Sequence, residues 1–137
     1  MATPTLDTTR QTARHKEVAR HALEQVCSGK RLDEAAACYH AEFADHVNAT
    51  DFHGMEGIQR SVSAYMQAFE DLSITVEAQI AEGDCVASRW RLRGTSRGRP
   101  VSFSGVTISR FEDDRIREDW SYYDAAEAAR QLTGQSS

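Results

Sequence analysis

Near residue 70 the hydrophobic period of this chain switches from helical to extended, and that switch excludes most architectures. Before it, Ala19, Ala22, Leu23, Val26 and Cys27 recur at i, i+3, i+4 and i+7 over residues 13 to 28, one buried helix face, with Gly29 as a natural stop. Leu32, Ala35, Ala36 and Tyr39 predict a short second helix over 31 to 39. Phe43 to Ala49 alternates and reads as a short strand, with Phe43, Val47 and Ala49 on one side and His46 and Asn48 on the other. Ile58, Val62, Tyr65, Met66 and Phe69 then trace an apolar stripe along a third helix. Beyond the switch, residues 72–81, 84–94, 99–111 and 115–123 are rich in β-branched and aromatic side chains and read as strands. Their short separators demand antiparallel hairpins or a meander. Alanine-rich 124–132 predicts a closing helix. Helices first and a long sheet second make an α+β fold, and a sheet that bends more than its helices can fill leaves an internal pocket.

A length of 137 residues bounds the rest. It suits one domain, expected over 13–132 between flexible tails at 1–12 and 133–137. Sixteen Lys and Arg against 21 Asp and Glu give a net charge of −5 with no basic run, which argues against nucleic acid as a partner. The polar stretch Met1 to Thr12 lacks the apolar run of a signal peptide, and no stretch approaches the roughly 18 apolar residues of a membrane span. The protein is therefore expected in the cytoplasm, away from membranes. Cys27, Cys38 and Cys85 are odd in number and widely spaced, the pattern of free thiols in a reducing compartment.

Several residues are candidates for chemistry. Period-two counting along 116–124 puts Ile116, Glu118, Trp120, Tyr122 and Asp124 on one face, so that a carboxylate shares a surface with aromatics. An apolar wall raises a carboxyl pKa and makes a base that works near neutral pH. Asp124-Ala125-Ala126-Glu127 also has the spacing of a capping box, so Asp124 is equally a candidate helix cap. His46 can donate, accept or shuttle a proton near physiological pH. Arg89 and Trp90 fall on opposite faces of their strand, and only one can face the pocket; an inward Arg89 would stabilise an oxyanion, an outward one would bridge to an acidic neighbour. Asn48, Tyr65, Phe69, Phe103, Trp120 and Tyr122 complete the candidate substrate contacts. His40, His46 and His53 lie six and seven residues apart, which fits neither a helix face nor neighbouring strand positions, so no metal site is expected. No nucleophile elbow, P-loop or dinucleotide fingerprint is present in the sequence.

Tyr39-His40-Ala41-Glu42-Phe43-Ala44-Asp45-His46, Gly54-Met55-Glu56-Gly57, Phe69-Glu70-Asp71-Leu72, Glu82-Gly83-Asp84, Arg89-Trp90, and Arg110-Phe111-Glu112-Asp113 with Ile116, Glu118, Trp120 and Asp124 stand in the order and spacing of the SnoaL-like polyketide cyclases. The chain resembles that family, within the superfamily of nuclear transport factor 2, the ketosteroid isomerases and the limonene epoxide hydrolases. The resemblance implies a cone-shaped fold, a curved antiparallel or mixed sheet wrapped around N-terminal helices with an internal pocket. It implies Asp124 as the acid/base and His46 as a pocket residue that hydrogen-bonds a substrate oxygen. The reaction it implies is a cofactor-independent, intramolecular aldol ring closure on a hydrophobic, aromatic small molecule. Two alternatives stay open: an epoxide-opening cyclase or hydrolase, and a non-catalytic binding or dimerisation module. The Asp-Arg-Asp set of the epoxide hydrolases is not evident, since Arg91 follows Arg89 at the alternate position. Apolar residues on both parities, as at Val101, Phe103, Val106 and Ile108, predict a homodimer formed through the outer sheet face.

Overall fold

The computed structural model describes residues 6–134. Helix α1 (Leu6–His21) runs without a break into a π-helical turn at Ala22–Val26, and Ala19, Ala22, Leu23 and Val26 form its buried face. Its start at Leu6 places residues 6–12, expected as part of a flexible tail, in the helix; residues 1–5 and 135–137 of the expected tails lie outside the described residues. Gly29 ends this segment at φ +82°, where a Cβ would also stand 2.5 Å from the Met66 sulfur, so only glycine serves. The short second helix is smaller than its periodicity suggests: a 3₁₀ turn (Leu32–Glu34) and α2 (Ala35–Cys38) give way at Tyr39 to a strand.

Strands β1 (Tyr39–Val47) and β2 (Thr50–His53) form a hairpin, followed by α3 (Gly54–Ala68). The long strands β3 (Glu70–Glu82), β4 (Cys85–Ser96), β5 (Arg99–Glu112) and β6 (Arg115–Tyr123) form the expected meander, and α4 (Ala125–Thr133) closes the described chain. The six strands make one curved, unclosed mixed sheet in the order β2-β1-β6-β5-β4-β3, parallel only between β1 and β6. The result is the α+β cone.

Burial along β5 alternates strictly, with Val101, Phe103, Thr107, Ser109 and Phe111 inward. Strand β6 breaks that rule. Phe111 pairs with Ile116 but Arg110 pairs with Glu118, so Arg117 is one extra residue, a β-bulge. The register between β1 and β6 shifts over the same stretch, and the Arg117 guanidinium reaches across to the Glu42 carbonyl there. Ile116 is therefore inward before the bulge, and Asp119, Ser121 and Tyr123 are inward after it.

The core forms two clusters. One packs Val26, Tyr39, Phe43, Ile58, Phe111 and Ile116 at the end closed by α1 and α2; the other packs Leu23, Phe69, Trp90, Leu92, Phe103 and Ala128 beneath α4.

Candidate active site

Two connected chambers penetrate the concave side. The outer one, about 470 Å³, is walled by Phe52, Tyr65, Phe69, Phe103, Tyr123 and Leu132. The inner one, about 60 Å³, is lined by Asp45, Asp119, Cys27, Tyr39, Thr107 and Ser121 among others. Val47, Ser61, Tyr65 and Tyr123 belong to both linings and make the neck. By the room one water needs, the inner chamber accepts about four or five heavy atoms. It has room for no more than the narrow end of a small molecule.

Two carboxyls of shifted proton affinity line this deep end. Asp45 on β1 and Asp119 on β6 are partners in the parallel register, so their carboxyls stand on neighbouring strands. Burial drives the Asp119 carboxyl far above the usual carboxylate range, and the Asp45 charge pushes in the same direction; a hydrogen bond from Ser109 opposes both. Among the described residues, Asp119 Oδ1 is buried without a hydrogen-bond partner. Burial also lifts Asp45, to about 7, with His46 pulling it down and Asp51 pushing it up. Two carboxyls side by side in an apolar pocket do not both ionise at neutral pH.

The remaining inner groups are quiet. Burial pushes the Cys27 thiol up to about 12 despite a 3.3 Å contact with the Tyr39 hydroxyl, so it is no nucleophile. Tyr65 and Tyr123 share a side-chain hydrogen bond across the neck, and burial raises the Tyr65 phenol well above its normal value. All three cysteines are free thiols.

Of the candidate substrate contacts, Tyr65, Phe69, Phe103 and Asn48 line the outer chamber. The other candidates lie elsewhere. Asp124 is exposed and caps α4, accepting from the Glu127 amide at 3.0 Å, so the capping alternative describes it and it adds no carboxylate to either chamber. Trp120 and Tyr122 face outward because the Arg117 bulge inverts the parity counted from Ile116. Trp90 is the inward member of its pair, and Arg89 points out, 3.8 Å from Glu77. His46 also lies on the outer face. Its Nδ1 is 2.7 Å from Asp51 and its Nε2 2.7 Å from Glu118, which Arg110 also contacts at 3.3 Å, and its ring stacks on Trp120. These carboxylates raise the His46 pKa, and the histidine in turn lowers that of Glu118. The side chain is a cationic clamp across β1, β2 and β6 rather than a pocket group. His40 stands apart from His46 and His53, with its ring near Glu112 and Asp113 on the surface.

The sequence did hold a signal for Asp45, which shares the parity of Phe43 and Val47 on the apolar side of β1. Asp119 was hidden by the bulge.

The fold and the matched family agree. The model of the SnoaL-like polyketide cyclase family matches residues 17–132. Among solved structures, TsrD from Streptomyces laurentii is similar with a TM-score of 0.77 at 24% identity, over 88% of this chain and 95% of that one. A protein from Jannaschia sp. CCS1 described as a SnoaL-like polyketide cyclase gives 0.81 at 17% identity, over 99% and 100%. AclR from Streptomyces galilaeus, described as a hydroxylase, gives 0.77 at 18%, over 92% and 85%. No curated protein matches by sequence. At these identities the structural likeness speaks for the fold, and the family model, which spans most of the described residues, makes this chain a member of the SnoaL-like polyketide cyclase family.

Proposed function

We propose that this protein is a cofactor-independent cyclase that closes a ring by intramolecular aldol addition, with Asp45 and Asp119 as its acid/base pair. The observation that carries the reading is the pair itself: two carboxyls of raised proton affinity, side by side at the closed end of a small-molecule cavity. The base role moves here from Asp124, whose carboxylate is committed to a helix N-terminus in solvent.

Ionised Asp45 removes a proton from carbon flanked by carbonyls. The enolate carbon attacks a second carbonyl of the same molecule, one C–C bond forms, and the resulting alkoxide takes the proton of Asp119. Transfer of the abstracted proton from Asp45 to Asp119 restores both groups, so no atom is gained or lost. The shapes fit a substrate with an aromatic or otherwise apolar body among Phe52, Phe69, Phe103 and Leu132 and a narrow carbonyl-bearing end in the inner chamber. Positioned acid/base catalysis of this kind contributes typically 10² to 10⁴ in rate.

The test is deuterium exchange at C2 of 1-phenylbutane-1,3-dione in D₂O, followed by ring closure of an aryl polyketone. Wild type should accelerate both, and Asp119→Asn and Asp45→Asn should each remove most of the acceleration while far-UV dichroism stays unchanged. Wild-type rates no faster than buffer sink the reading.

A second reading uses the same pair to open an epoxide, Asp119 protonating the ring oxygen while Asp45 activates a hydroxyl; the presence of a ready acid beside a base favours it equally. Turnover of an aryl epoxide without exchange on the diketone selects it. Pairing of two copies through the outer face, where Val106, Ile108 and Tyr122 are exposed, belongs to the same proposal. A monomer in light scattering removes that part.

A further inference from the structure

One hydroxyl in the inner chamber has a proton with no acceptor among the side-chain contacts of the described residues. The Trp90 indole N–H donates to Thr107 Oγ1 at 2.9 Å, and Thr107 Oγ1 lies 2.7 Å from Ser121 Oγ. The directions follow from counting donors. Indole nitrogen only donates, so Thr107 accepts from it. Thr107 is fully buried, and its own proton must find an acceptor there. Of its two side-chain partners, Trp90 and Ser121, only the serine oxygen can accept. Ser121 therefore accepts from Thr107, and its remaining proton has no acceptor among the side-chain contacts of the described residues.

The serine that carries that proton belongs to the chamber wall. Ser121 lines it beside Asp45 and Asp119, two residues beyond Asp119 on the same face of β6 and opposite Val47 at the neck. We propose that the Ser121 hydroxyl is the hydrogen-bond donor to the substrate oxygen on which charge develops as the neighbouring carboxylate removes the proton. Thr107 and Trp90 are positioning residues that orient and polarise it. A chain of hydrogen bonds ending in a buried indole strengthens its last donor, and a donor fixed in advance needs no reorganisation as charge appears. The neighbours show the same arrangement being accommodated. Trp90 sits opposite Gly105 in the register, and any Cβ at Gly105 would overlap the indole ring that reaches Thr107.

The inference rests on the acid pair acting as proposed above, and the experiment separates the two. Exchange of 1-phenylbutane-1,3-dione is measured across pH 5 to 9 for wild type, Ser121→Ala, Thr107→Val and Thr107→Ser. Loss of one oxyanion donor costs about 100-fold or more in kcat, so Ser121→Ala should fall by that factor with KM within about threefold. Its rate should still rise through pH 7, because Asp45 is intact. Thr107→Val, which leaves Ser121 without its orienting donor, should lose about tenfold, and Thr107→Ser, which keeps the hydroxyl, should recover the loss. Ser121→Ala retaining kcat within threefold overturns the role of Ser121 alone. So does a Thr107→Ser variant as impaired as Thr107→Val, which would mark packing rather than a donor chain. No exchange by wild type overturns the acid pair and this role together.

Discussion

Replacing Asp45 by asparagine should make the protein more stable at pH 8 than wild type, and far less so at pH 5. The Asp45 carboxyl rises from 3.8 to about 7 in the fold. A raised folded value means that the native state binds the proton more tightly than the unfolded chain. Its contribution to stability is therefore fully present below pH 4 and is lost as pH climbs through 7. Between pH 5 and pH 8 a group with these two values changes stability by about 2 units' worth of 1.36 kcal/mol, or about 2.5 kcal/mol. For a chain of this size each kcal/mol moves the midpoint by roughly 3–4 °C. The gap between Asp45→Asn and wild type should thus widen by about 8 °C from pH 5 to pH 8 in matched thermal melts. The outer histidine titrates in both proteins and largely cancels from the difference. Asp119, also raised by burial, contributes a loss of the same sign in both proteins. Parallel wild-type and variant curves, with a gap that changes by less than 2 °C, would show that Asp45 ionises as an ordinary surface carboxylate, and the proton-sharing pair would fall with it.

Asp124→Asn should leave turnover and melting temperature essentially unchanged, since asparagine caps a helix about as well as aspartate; a 100-fold loss of turnover would restore Asp124 to the mechanism. His46→Gln should cost under about 1 kcal/mol, and more at pH 6 than at pH 9. The sign follows from its raised folded pKa, which makes its stabilisation complete below about 6.5 and lost above the folded value; equal losses at both pH values in denaturant titrations would refute the charged clamp. Gly105→Ala should destabilise by about 1–3 kcal/mol through overpacking against Trp90, and should lower turnover by displacing the indole from Thr107; a variant with wild-type melting and turnover would contradict that contact.

The strands beyond residue 70 were legible because β-branched runs and short turns leave few alternatives, and the first helix because its apolar stripe is regular. Tyr39 was misassigned to a helix since its side chain is buried in either conformation. In the site, Tyr65, Phe69 and Phe103 were legible as large apolar groups on faces that had to point inward. The acids were not. A bulge leaves no mark in side-chain periodicity, and without it Glu118, Trp120 and Tyr122 make the more convincing amphipathic face of β6. Arg89 and Trp90 were ambiguous for a related reason: alternation separates the two faces of a strand and cannot say which is concave.

The two faces of the sheet are nevertheless not independent. Asp45 precedes His46 on β1, and Glu118 precedes Asp119 on β6, so each carboxyl of the inner pair is covalently adjacent to one partner of the outer ion pair. The His46–Glu118 contact crosses the same two strands diagonally, between the rungs on either side of the one where Asp45 meets Asp119. On β1 the outer residue follows its inner neighbour and on β6 it precedes it, so in this parallel pair His46 and Glu118 meet on a diagonal. The bulge turns Glu118 out and Asp119 in on β6. His46 thus braces β1 and β6 from the outer side of the sheet, beside the rung that carries Asp45 and Asp119. Backbone pairing and the apolar inner face set the register that brings the two carboxyls together, and the outer ion pair adds to it.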